Sequence, residues 1–222
     1  ATACAGFSAG GPSPRWGLYT GPMPAPPAVR AATAADAPTF ARIVVEALHT
    51  KYRPALGRAA VDGASALVAA GIRHNASSHH LVAEVDGRTA GVVHLSLGPS
   101  GDHAPLTDAL VDAVGRWQAL RAMRVLGLLG VGGSAADTGY IDELAVAPWA
   151  RRRGVARTLI AACVATAHDA GKSRVTLMVT TDNAAARALY EAAGFVAVRR
   201  RRWLLARMVF RAPGALLMER RL

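Results

Sequence analysis

Between Tyr140 and Thr180 the chain reads as a strand (Tyr140–Ala147), a turn, a helix (Gly154–Ala170) and a second strand (Arg174–Thr180). This βαβ order constrains the fold most, because a crossover through one helix makes its two strands parallel. A further helix is expected over Ala184–Ala193, and two last strands near Phe195–Trp203 and Ala215–Arg220. The front half has another pattern. Leu81–Val85 and Ala90–Leu97 flank Asp86-Gly87, the signature of an antiparallel hairpin closed by a tight primed turn. Asp36 is placed to cap a helix running to about His49, with Phe40, Ile43, Val44 and Ala47 on one face, and a second helix covers about Val61–His74. The expected class is mixed α/β, with an antiparallel front half and a βαβ unit behind it.

Residues 1–27 are rich in Gly, Pro, Ala and Ser without apolar periodicity and read as a flexible tail, leaving 28–222 as one domain. Pro99–Gly133 reads as a helical insertion, with Leu106, Leu110, Ala113, Trp117, Leu120 and Met123 at helical spacing and Arg116, Arg121 and Arg124 off that stripe. Gly115 and the run Gly127–Gly133 suggest breaks. The insertion reads as a lid, as a basic amphipathic surface segment, or as a face packed on the sheet or on a second subunit.

The net charge of +11, nearly all from arginine, suits a phosphorylated ligand, nucleic acid or an acidic surface, or reflects coding bias. With 52% hydrophobic and 18% charged residues, wholesale disorder is excluded. Cys4 and Cys163 form neither a disulfide framework nor a zinc pattern, and the scattered histidines have no metal-ligand spacing. No apolar run reaches the roughly 20 residues that span a bilayer, and no signal peptide is visible. A cytoplasmic location is expected.

The turn Arg151-Arg152-Arg153-Gly154-Val155-Ala156 lies where the first strand meets the helix. A helix start leaves N–H donors free and carries partial positive charge. Gly154 removes the Cβ that would keep a diphosphate away, Ala156 keeps the next turn small, and Arg152, Arg153 and Arg157 add cationic donors. A glycine-containing turn with solvated arginines would look the same. Other phosphate loops, Gly-x-x-x-x-Gly-Lys-Ser/Thr and Gly-x-Gly-x-x-Gly, are absent.

Three linked motifs follow in order: Leu144-Ala145-Val146-x-Pro148, then Arg151-x-x-Gly154-x-Ala156, then Asn183-x-x-Ala186-x-x-Leu189-Tyr190-x-x-x-Gly194-Phe195. On these the chain resembles the GNAT superfamily of acyl-CoA-dependent N-acetyltransferases, and in its second half the ribosomal-protein-alanine acetyltransferases. The resemblance implies a mostly antiparallel central sheet with splayed parallel strands and flanking helices. It implies acetyl-CoA as co-substrate, a primary amine as acceptor, and direct transfer through a ternary complex without a metal or covalent intermediate. Coenzyme contacts would come from Leu144, Ala145, Val146, Arg151, Arg152, Arg153, Gly154, Val155, Ala156, Arg157 and Asn183. The backbone N–H of Leu144 or Val146 would polarise the thioester carbonyl.

Tyr190 is the candidate general acid, since a phenol with a pKa of roughly 10 stays protonated at neutral pH. It follows Asn183 by seven residues, so both project from one helix face. Where those alanine acetyltransferases carry a basic Glu, five residues before the Asn, this chain has Met178. Asp142 and Glu143 are the substitutes, with Glu84 more remote. Each could equally be a structural acid paired with a cation. A non-catalytic acyl-CoA-binding module, an acceptor carried on nucleic acid such as charged tRNA, and a homodimer all stay open.

Overall fold

The computed structural model describes residues 26–98, 104–127, 135–202 and 212–222. Expectations for the tail, the Gly127–Gly133 break and the end of the strand near Trp203 fall wholly or mainly outside them. The elements are β1 (Ala28–Ala31), α1 (Ala37–Ala47), α2 (His49–Leu56), α3 (Ala60–His74), β2 (Ser78–Val85), β3 (Arg88–Ser96), α4 (Ala104–Val114), α5 (Arg116–Gly127), β4 (Thr138–Val146), α6 (Val155–Asp169), β5 (Arg174–Thr180), α7 (Ala184–Ala192), β6 (Val196–Arg202) and β7 (Gly214–Arg221).

One sheet runs β1-β2-β3-β4-β5-β7-β6. Among the described residues only β4 and β5 pair in parallel. The β2–β3 hairpin closes at Asp86-Gly87 with φ of 52° and 71°, the backbone of a primed turn. α1 packs on β3 and β4, while α6 spreads over β2 to β5. Gly139 identifies the α6 face: a Cβ there would meet Ala167. The core between the layers is filled by Phe40, Val44, Val92, Leu95, Leu159, Ile160, Leu177 and Phe195.

Asp36 does not cap α1. Its carboxylate accepts from the Thr33 N–H at 2.7 Å and grips Arg30, which also donates to Glu84 at 2.7 Å. Glu84 is thereby tied to the outer edge of the sheet and leaves the list of bases. Gly91 lets α6 lie close. A Cβ there would stand 2.6 Å from Val155 Cγ1 and 3.1 Å from the Ala145 carbonyl. Among the described residues only the run His49–His74 has the length and hydropathy to cross a membrane. It is broken at Gly57, where φ is +59°, and its buried residues belong to the core.

Candidate active site

Parallel pairing of β4 with β5 ends at Ile141 and Leu177, although β4 continues to Val146 and β5 to Thr180. The two strands therefore part, and a slot opens between them. On the other edge of β4 the pairing with β3 persists through Val146. The Ala147 N–H donates to the Ala90 carbonyl at 2.9 Å. Backbone groups alternate sides along a strand, so the N–H groups of Val146 and Leu144 point into the slot. Those of Ala145 and Ala147 point to β3.

Past the slot, Pro148–Ala150 form one 3-10 turn and the chain passes through Arg152 at φ +63° and Gly154 at φ +80° before α6 begins. Two left-handed residues so close together turn successive N–H groups to one side, the geometry of an anion-binding nest. α6 has no side-chain cap; its first bond is Thr158 N–H to the Gly154 carbonyl. The preceding N–H groups of Val155, Ala156 and Arg157 are left by helix geometry without intrahelical partners. Arg151, Arg152 and Arg157 are exposed, and no carboxylate holds them among the described residues. Arg153 instead donates to Asp86 at 3.1 Å and lies near the Trp149 ring, across which Arg88 stacks at 4.5 Å.

Asn183 caps α7, its Oδ1 accepting from the Ala186 N–H at 3.0 Å. Tyr190 sits on the inner face of α7, edge-on to Phe195 with centroids 6.0 Å apart. Its hydroxyl has no hydrogen-bond partner among the described residues. Burial, with the neighbouring Cys163, pushes its pKa up to about 12. It is held as a phenol. Cys163 is fully buried, and burial alone pushes its thiol up to about 12, which makes it a poor nucleophile.

Asp142 and Glu143 behave as a pair. The register with β3 jumps from Glu143–His94 to Ile141–Leu95, leaving Asp142 as the extra residue of a bulge. Consecutive side chains that would otherwise diverge now reach the same ammonium: Lys51 Nζ lies 2.8 Å from Glu143 and 3.6 Å from Asp142. The hydroxyl of Tyr52 donates to Glu143. His94 Nδ1 lies 3.5 Å from Asp142, and its Nε2 is 2.7 Å from Ser78 Oγ. Burial opposes ionisation of Asp142, yet Lys51 and then His94 hold its carboxyl well below the usual range. Burial likewise disfavours a charged Lys51, but Asp142 and Glu143 hold it well above an ordinary lysine. Met178 stands on β5 directly after the last parallel pair and is half-buried.

Lys51, Tyr52 and Ser78 carry no signal in the sequence and His94 reads there only as one of the scattered histidines, since they come from α2, β2 and β3 and share no motif with β4. Among the described residues no group of three His, Cys, Asp or Glu is disposed to hold a metal.

The family model described as Acetyltransferase (GNAT) family matches residues 45–195. No curated protein matched the chain. Solved structures share the fold. They include Ard1 from Thermoplasma volcanium (18% identity, TM-score 0.58, covering 89% of this chain and 99% of that one). Another is the ribosomal-protein-S18-alanine N-acetyltransferase from Escherichia coli (17%, 0.55, 88% and 93%). A third is the PaiA N-acetyltransferase from Thermoplasma acidophilum in complex with coenzyme A (12%, 0.56, 88% and 99%).

Proposed function

The chain belongs to the GNAT acetyltransferase family, and from that premise we propose that it moves an acetyl group from acetyl-CoA directly to a primary amine of a small molecule or peptide, with Tyr190 as general acid. The observation that carries this reading is the parting of β4 from β5 beside the uncapped start of α6. Such a slot offers an added strand two inward N–H groups, from Leu144 and Val146, and offers a pyrophosphate the nest at Gly154.

In the proposed reaction the amine nitrogen attacks the thioester carbonyl. The C–N bond forms, the C–S bond breaks, and the developing oxyanion accepts from an inward N–H of β4. The departing thiolate takes the phenolic proton of Tyr190, which solvent returns to the phenolate before the next turnover. The surplus amine proton leaves by way of Asp142. That carboxylate is too weak a base to keep it, and water reaching the partly exposed Asp142 carries it away. Lys51 supplies one ammonium against two carboxylates, so the cluster can also draw in the acceptor's cation.

The experiment is a screen of acetyl-CoA turnover against small amines, polyamines, aminoglycosides and peptide N-termini, repeated with Tyr190→Phe. Loss of about 10²-fold in kcat with coenzyme binding intact is expected of a lost general acid. Unchanged turnover in that variant would remove Tyr190 from the mechanism. If no amine is turned over while acetyl-CoA still binds, the reading gives way to a non-catalytic acyl-CoA module, which Met178 favours.

A second reading, an acceptor carried on RNA, is favoured by the exposed Arg199–Arg202 on the edge strand β6. RNA retention that falls steeply with salt would support it, and no retention at low salt would dismiss it.

A further inference from the structure

α4 packs on α3 and α5 packs on α2, and the two helices meet at Gly115, where φ is +82°. The break expected at Gly115 divides the apolar positions from Leu106 to Met123 between two helices and re-aims the second of them. On α5 the fully buried residues are small, Ala119 and Ala122, at 1% and 0% exposed, and Val125 and Leu126 are half-buried against the core. Three large residues point outward: Trp117 is 82%, Leu120 39% and Met123 47% exposed. Arg116 and Arg124 share that outer face, and α5 carries no acidic residue. On α4, Asp108 and Asp112 are exposed and one turn apart. None of these four charges has an ion-pair partner among the described residues.

We propose that this α4–α5 face joins two copies of the chain. Trp117, Leu120 and Met123 would form the apolar centre, and Asp108 and Asp112 of each copy would meet Arg116 and Arg124 of the other. A two-fold contact needs a patch that complements itself, and the two adjacent helices of this hairpin expose charges of both signs. Trp, Met and Arg are also the residues enriched at the centres of protein interfaces. An anionic membrane or a nucleic acid would suit the arginines but would be repelled by the two aspartates. Burying Trp117 removes on the order of 200 Å² from water, about a quarter of the roughly 800 Å² per partner in a stable contact. Trp117 alone is therefore too small, and the contact needs its neighbours on α5 and α4 beside it.

Sedimentation equilibrium of the full chain over a concentration series tests this, with circular dichroism confirming that each variant folds. A dimer is expected, weakened at least about 10-fold by Trp117→Glu, a change at the centre of the interface. Asp108→Arg with Asp112→Arg, and separately Arg116→Asp with Arg124→Asp, should each weaken self-association. Mixing these two variants should restore it as a heterodimer. The proposal falls if the chain is monomeric at every concentration, if Trp117→Glu leaves the dimer intact, or if mixing restores nothing. A monomer that co-sediments with phosphatidylglycerol vesicles but not with phosphatidylcholine vesicles would reassign the face to a membrane.

Discussion

At the scale of single residues, the chemistry divides between groups near in sequence and groups brought together by the sheet. Asn183 caps the helix that carries Tyr190, so the two are linked by their spacing in the sequence. Lys51 and Glu143 are 92 residues apart, and no local pattern can join a lysine on α2 to a bulge on β4. Removing that lysine should be costly. Breaking a buried ion pair costs about 3–5 kcal/mol. Lys51 and Asp142 remain 20% and 23% exposed, so water meets part of that cost. Lys51→Met is expected to lose about 2 kcal/mol in urea unfolding, with partial recovery when Glu143→Gln is added. No change in the unfolding midpoint would show that the cluster is solvated. His80 gives a pH signature. It is buried against Phe40 and His94, its Nδ1 has no partner among the described residues, and burial, then His94, lowers its pKa to about 3. A histidine depressed on folding stabilises fully above its unfolded pKa near 6.5 and loses that contribution as the pH falls towards the folded value. Unfolding free energy should therefore decline below about pH 6.5, and His80→Leu should flatten that decline. An equal slope in both proteins would count against a neutral His80.

At the scale of elements, the hairpin at Asp86-Gly87 and the strand–turn–helix at Arg151–Ala156 were legible, because tight turns and helix starts depend on residues close in sequence. The sheet order was not. β7 inserts between β5 and β6, and apolar alternation alone cannot say which neighbour a strand will take. The two faces of α5 were equally hidden, since periodicity marks a stripe without saying where it points. The seating of α6 on β3 through Gly91 is testable. Gly91→Val would drive side-chain atoms into Val155 and the Ala145 carbonyl. Overpacking of this kind typically costs about 1–3 kcal/mol. Because Val155 opens α6, acetyl-CoA affinity should fall with stability. Gly154→Ala makes the contrast. A Cβ there meets nothing within 4 Å, but φ is +80°, so it should cost about 1–2 kcal/mol of backbone strain and weaken coenzyme binding further by blocking a close phosphate. Coenzyme affinity unchanged in both variants would move the pyrophosphate away from this turn.

At the scale of the whole molecule, the charge of +11 is unevenly shared. Exposed arginines gather at the turn before and within α6 (Arg151, Arg152, Arg157) and along β6 (Arg199 to Arg202), while the interior between β4 and α2 holds more acid than base. On the proposed reading, a polyanionic co-substrate approaching the slot would meet the arginines of that turn. Such a field raises association rates and is screened once the Debye length, about 10 Å at 0.1 M salt, becomes short. kcat/KM for acetyl-CoA is therefore expected to fall several-fold, on the order of 10-fold, between low and moderate ionic strength. If the turn carries the effect, Arg151→Gln with Arg152→Gln should flatten the salt dependence, whereas Arg200→Gln with Arg202→Gln should leave it nearly intact. The opposite outcome would place the steering field on β6. It would then weaken the case for a pyrophosphate at Gly154 and strengthen that for an extended anion, such as RNA, lying along the edge strand.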